Sequence, residues 1–162
     1  MKYTKDQLRA IEIILNARRP WMDKSRHLQY EECNIVLNDT TLIRLNEPVW
    51  SDGEDYYDVP VLLNSNATHD KVTVDTVDPS TTHYDERRDY CKIAEDAYFD
   101  PISLKCAMRV LKYHEHPVTL HYTTDPKTLQ RYCKCLTFST AYGFALVMAV
   151  RVRDASMLHE VR

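Results

Sequence analysis

Two stretches of this chain, one hundred positions apart, carry nearly the same helical text, which obliges the fold to accommodate two equivalent units. The first reads Lys5, Leu8, Arg9, Ala10, Ile11 and the second Lys105, Met108, Arg109, Val110, Leu111. Residues three and four apart share one face of a helix. Lys5, Arg9, Glu12, Asn16 and Arg19 therefore align as a polar stripe, as do Lys105, Arg109, Lys112 and His116. Leu8, Ile11 and Leu15 fall opposite the first stripe, and Leu104, Ala107, Met108 and Leu111 opposite the second. Both helices run into β-rich sequence. A repeat that keeps its cations predicts two helices sharing one basic surface.

The 162 residues fit a single domain with its own hydrophobic core. No apolar run approaches the roughly 18 residues that cross a bilayer, so no membrane partner is expected. The opening Met1-Lys2-Tyr3-Thr4-Lys5 lacks the apolar core of a secretory signal, and the expected location is cytoplasmic. Five cysteines without a C-x-x-C pair predict neither a disulfide framework nor a zinc site. Cys133 and Cys135, two apart, are expected on one face of a strand as small buried thiols. The net charge of −3 hides a division. Residues 47–100 hold 14 acidic and four basic side chains, a local charge of −10, and the remainder carries +7. Such asymmetry bears on partners rather than on fold.

Residues 4–18 read as an amphipathic helix with Thr4 as N-cap and Pro20 as stop. Asp23-Lys24-Ser25-Arg26 reads as a turn, followed by short strands at 27–31, 33–38 and 41–46, with Asn38-Asp39 turning between the last two. Residues 47–57 are acidic and aromatic. Strands are predicted at 59–63 and 71–77, and the Asp78 to Asp89 run reads as an exposed connection. Asp100-Pro101 supplies an N-cap and a proline at the first position of a second helix running to about His114. Strands at 118–123, 132–138 and 144–152 follow. The last is almost continuously apolar, as for a strand buried on both faces or at an interface. The order describes one α+β domain over 1–162, with an acidic insertion around 47–98.

No sequence pattern supports catalysis. His121-Tyr122-Thr123 is half of a His-x-Thr phosphodiesterase pair, and His83-Tyr84-Asp85 does not supply the other half. His114, His116 and His121 cluster in sequence but bring no third and fourth ligand of their own, so they read as helix-terminal histidines. The 47–58 run lacks the spacing of a calcium loop, and Gly53 and Gly143 stand alone, with no phosphate-cradling loop. The expectation is a non-enzyme without cofactor or metal.

Three pieces of the second half resemble the end of a bacterial-type DNA sliding clamp. They are Phe99-Asp100-Pro101-Ile102-Ser103-Leu104-Lys105, then Val118-Thr119-Leu120-His121-Tyr122, then Phe144-Ala145-Leu146-Val147-Met148-Ala149-Val150-Arg151. In the first half, Asp23-Lys24-Ser25-Arg26 and Leu37-Asn38-Asp39-Thr40-Thr41-Leu42-Ile43-Arg44 are similar to the clamp's Asp-x-x-Arg turn and Ala-Thr-Asp-x-x-Arg-Leu segment. The resemblance implies one clamp domain of two helix-plus-strands halves, with the helices side by side on one face of antiparallel sheets. It implies that Lys5, Arg9, Arg19, Lys105, Arg109 and Lys112 contact the phosphates of duplex DNA without reading sequence. A clamp ring resembles about six such domains, so a homo-oligomer is implied. Glu12 inside the first stripe and the long acidic middle depart from the clamp pattern. They define an alternative, an inhibitor or adaptor on the same fold. In that reading Asp52, Glu54, Asp55, Tyr56, Tyr57 and Asp58 mimic nucleic acid toward a DNA-binding protein.

Overall fold

A computed structural model describes residues 3–16, 26–30, 33–37, 40–49, 70–79, 82–85 and 88–150. The described residues are α+β, with two helices and antiparallel strands. Helix α1 spans Lys5–Asn16 and begins with a reciprocal cap. Gln7 N donates to Thr4 Oγ1 at 3.2 Å, and Thr4 N donates to Gln7 Oε1 at 2.8 Å. Strands β1 (Arg26–Tyr30), β2 (Cys33–Leu37) and β3 (Thr41–Leu45) follow. Next come β4 (Asp70–Val74), β5 (Thr82–Asp85), β6 (Arg88–Ala94) and β7 (Ala97–Phe99). Helix α2 spans Pro101–Val110 and precedes β8 (Val118–Thr124), β9 (Arg131–Thr140) and β10 (Gly143–Met148). Asp100 caps α2 as its sequence predicts, accepting from Ile102 N at 3.2 Å and from Ser103 Oγ at 3.2 Å.

The large sheet has the order β1-β2-β3-β10-β9-β8-β4. Without β4, the order is palindromic. The last strands of the two helix-plus-strands halves, β3 and β10, meet in antiparallel register at the centre, with Ile43 opposite Ala145 and Leu42 opposite Leu146. Antiparallel pairing of equivalent strands under two helices on one face is what a local two-fold axis normal to the sheet produces. The two helix-plus-strands halves thus meet in the middle of one sheet.

Period-two alternation divides the sheet into two faces. Val36, Ile43, Leu45, Val118, Leu120, Leu136, Phe138, Ala145 and Val147 point toward the helices and share one core with Ala10, Ile11, Ile14, Leu104, Ala107 and Leu111. Leu42, Leu146, Thr137, Cys135 and His121 point to the other face and are nonetheless buried. Leu146 lies between Leu42 and Thr137 on that second face, where Phe144 is half-buried and Met148 exposed, so β10 is covered fully only on its helix side.

The structure departs from the sequence reading in several places. On α1 the buried stripe is Gln7, Ala10, Ile11 and Ile14, while Leu8 is 41% exposed and Leu15 only half-buried. The helix is rotated because Gln7, counted among the polar residues, is buried in the contact with α2. Helix α2 ends at Val110, four residues short of His114. Lys112 takes φ +49°, and a left-handed residue closes a helix. The Asp78 to Asp89 run, read as a connection, contains β5 and the start of β6, which pair with His83 opposite Asp89. Cys133 and Cys135 do not share a face. A bulge gives β9 an extra residue, Lys134, between the partners of His121 and Tyr122. Cys133 therefore turns toward the helix-side core with Tyr122, while Cys135 faces away beside His121. The turn after β6 docks on that bulge, with Cys133 N donating to Asp96 O at 3.1 Å and Tyr122 Oη to Glu95 O at 2.9 Å. The predicted turns at 23–25 and Asn38-Asp39, and the predicted strand at 59–63, lie outside the described residues.

Candidate nucleic-acid interface

The layer that carries the basic stripes is held together by two contacts from the first turn of α1 to the last turn of α2. Gln7 Nε2 donates to Val110 O at 2.8 Å, in a fully buried bond that satisfies one of the carbonyls a helix leaves open at its end. Beside it, in solvent, Arg109 Nη2 pairs with Asp6 Oδ1 at 2.8 Å. The Arg109 hydrogen bond holds the Asp6 carboxyl below its ordinary range, and Asp6 in turn pushes the guanidinium up. Side-by-side placement of the helices therefore has a specific cause.

Of the six cations assigned from sequence, Lys5, Arg9, Lys105 and Lys112 are exposed on this layer. Arg109 is about one-third exposed and engaged by Asp6. Arg19 lies outside the described residues, as do Asp52, Glu54, Asp55, Tyr56, Tyr57 and Asp58. Lys5, Arg9 and Lys105 form no ion pair with any described residue, and Lys112 Nζ sits 5.5 Å above the Tyr142 ring. His116 is not part of the second stripe. Its Nδ1 accepts from His114 N at 2.9 Å and its ring leans on Tyr113.

The two helices contribute unequally. On α1, Lys5 and Arg9 are cancelled by Asp6 and Glu12. On α2 and the residue pair after it, Lys105, Arg109 and Lys112 face no carboxylate of their own helix.

A cavity of about 650 Å³ opens along that helix. Its lining includes the cations Lys105, Arg109 and Lys112 together with Asp6, Met108, Tyr113, His114 and Pro79. Tyr113 is fixed in place: its hydroxyl accepts from Val77 N at 2.9 Å and donates to His116 O at 2.7 Å. Its ring also meets Phe138 edge-on at 5.4 Å. These bonds strap residues 77–79 across the end of α2. Sequence reasoning found the lysines and arginines but not Gln7, Asp6, Tyr113 or Pro79. The Thr4-x-x-Gln7 spacing was the available sign of the cap. Nothing local links Asp6 to a partner 103 positions away.

Elsewhere, His121 is buried with Nε2 at 2.8 Å from Thr137 Oγ1, which makes it a core histidine of β8. Burial pushes the Cys133 thiol up to about 12 and the Cys135 thiol up to about 11. Neither is poised as a nucleophile at neutral pH. Among the described residues no three His, Cys, Asp or Glu side chains converge as a metal site, and no helix is long and apolar enough to cross a membrane. No protein-family model, curated protein or solved structure matches the chain.

Proposed function

We propose that the chain is a non-enzymatic, sliding-clamp-like binding module that contacts the phosphates of duplex DNA through its helix layer. The observation that carries this reading is the packing of α1 and α2 side by side on one sheet face with Lys5, Arg9, Lys105 and Lys112 turned to solvent. The palindromic strand order, with one helix per half, supports the clamp resemblance. Long, flexible cations on a helix face suit a contact that positions a duplex without reading it. At 19.1 kDa one copy is too small to encircle DNA, so a clamp of this kind works as a homo-oligomer.

The test is fluorescence anisotropy of a labelled duplex across a salt series. Neutralising Lys105 or Lys112 should weaken binding and flatten the dependence of log K on log salt by about 0.9 per lost phosphate contact. Absence of binding at low salt, or a slope indifferent to both substitutions, overturns the reading. Light scattering over a concentration series tests the oligomer.

The cancelling charges on α1 and the −10 charge of residues 47–100 favour a second reading, the adaptor that offers its acidic segment to a basic partner. In that case duplex DNA is ignored, and Asp52→Asn, Glu54→Gln and Asp55→Asn together abolish partner capture.

A further inference from the structure

The cavity beside α2 has a part that a duplex leaves unused. The bases of a duplex are paired and stacked inside, so its phosphates can engage Lys105 and Lys112 while nothing reaches Met108, Tyr113 and Pro79. We propose that this cavity seats a nucleotide of an unpaired strand, and that the interface prefers single-stranded over duplex nucleic acid. The inference rests on the reading of the helix layer as a phosphate-binding surface.

Three features support it. The site is a groove open to solvent, and its volume, about 650 Å³, is within the roughly 300–1,000 Å³ of clefts that take small ligands. Lys105 and Arg109 are one helical turn apart, about 6 Å along the axis, and Lys112 lies further on. The row of cations is therefore longer than one phosphate and follows a strand. In the same lining the half-buried Tyr113 offers an aromatic ring on which an unpaired base rests, and base–aromatic contact is tolerant of sequence because every base has a flat face. Tyr113 is held by Val77 and His116 before any ligand arrives, so little ordering accompanies binding. Asp6 is the opposing element: its carboxylate occupies Arg109 within the same lining.

The experiment compares an oligo-dT of twelve nucleotides with a twelve-base-pair duplex at equal salt by anisotropy, using the full chain. Single-stranded DNA should bind at least about fivefold more tightly, the effect of one modest base–aromatic contact. Thymidine monophosphate should displace the oligonucleotide at a lower concentration than inorganic phosphate does. Lys105→Ala should lower the single-strand salt slope by about 0.7. Equal or tighter binding of duplex, or equal displacement by inorganic phosphate, overturns this inference and leaves the duplex reading standing. Binding of neither DNA form overturns both.

Discussion

Replacing Gln7 should loosen the whole helix layer, and the structure allows the cost to be worked out. Its side chain makes two hydrogen bonds, accepting from Thr4 N at 2.8 Å and donating to Val110 O at 2.8 Å. Gln7 and Val110 are both fully buried. In Gln7→Leu the shape is nearly kept, but the Val110 carbonyl is left without its partner in a site that excludes water, at about 1–3 kcal/mol. Loss of half of the reciprocal cap adds about 0.5–1 kcal/mol, because Thr4 N can turn to solvent. The sum, roughly 1.5–4 kcal/mol, is a large share of the ~5–15 kcal/mol that holds a typical domain together. Urea unfolding followed by circular dichroism should show a midpoint lower by about 1 M at unchanged slope. Gln7→Glu sharpens the test. Its ionised carboxylate still accepts from Thr4 N but cannot donate to Val110 O, whereas the protonated acid can. Burial raises the folded pKa of such a group above its unfolded value of about 4.3. Its contribution is then fully present at pH below the unfolded pKa and lost as pH rises through the folded one. Gln7→Glu should therefore be the less stable variant at pH 7 and recover on acidification. A Gln7→Leu protein within about 0.5 kcal/mol of the parent would refute the reasoning, since that is the scatter of ordinary surface substitutions.

Gly143→Ala should be more damaging still. At φ +155° a Cβ would stand 2.0 Å from Arg44 O, against backbone that cannot swing aside. Strain and overpacking together cost about 2–6 kcal/mol, so thermal melting should fall by roughly 5–20 °C, and an unchanged melt would contradict this geometry. Cys133 and Cys135 should resist alkylation at pH 8 until urea unfolds the chain. Their thiols titrate higher when folded than the ordinary 9.0, so their contribution to stability is lost as pH rises from about 9 through about 11 and 12. Rapid labelling of the native protein would argue against their burial. Asp6→Asn should release Arg109 to solvent and tighten binding of either DNA form in the anisotropy assay, and a weaker complex would show that the ion pair shapes the interface rather than competing with it.

The elements most legible from the sequence were those with a local cause. The Asp100-Pro101 pair announces α2, and β8, β9 and β10 follow from short runs of apolar, β-branched and aromatic residues. The repeated helical text anticipated that two helices pack side by side. What escaped was decided by contacts distant in sequence. Residues 78–89 read as an exposed connection because strand β5 and the first part of β6 are specified by pairing with each other rather than by apolar alternation. The faces of Cys133 and Cys135 depend on one extra residue at Lys134, which no spacing rule reveals. At the candidate interface the cations were readable from helical periodicity. Gln7 and Asp6 were not, because each takes its role from a residue 103 positions away. Leu8 misled for the same reason: a buried glutamine took the place an apolar residue would normally claim.

The seam between β3 and β10 has a consequence for how the molecule is made. Ile43 and Leu42 leave the ribosome about a hundred residues before Ala145 and Leu146 can cover them. Until then the amino-terminal half presents an unsatisfied apolar border, and closure across so long a separation is slow. A neighbouring chain's β10 satisfies that border as well as the chain's own. At high concentration, refolding should thus yield intertwined dimers in which carboxy-terminal halves have changed places without losing a single native contact along the join.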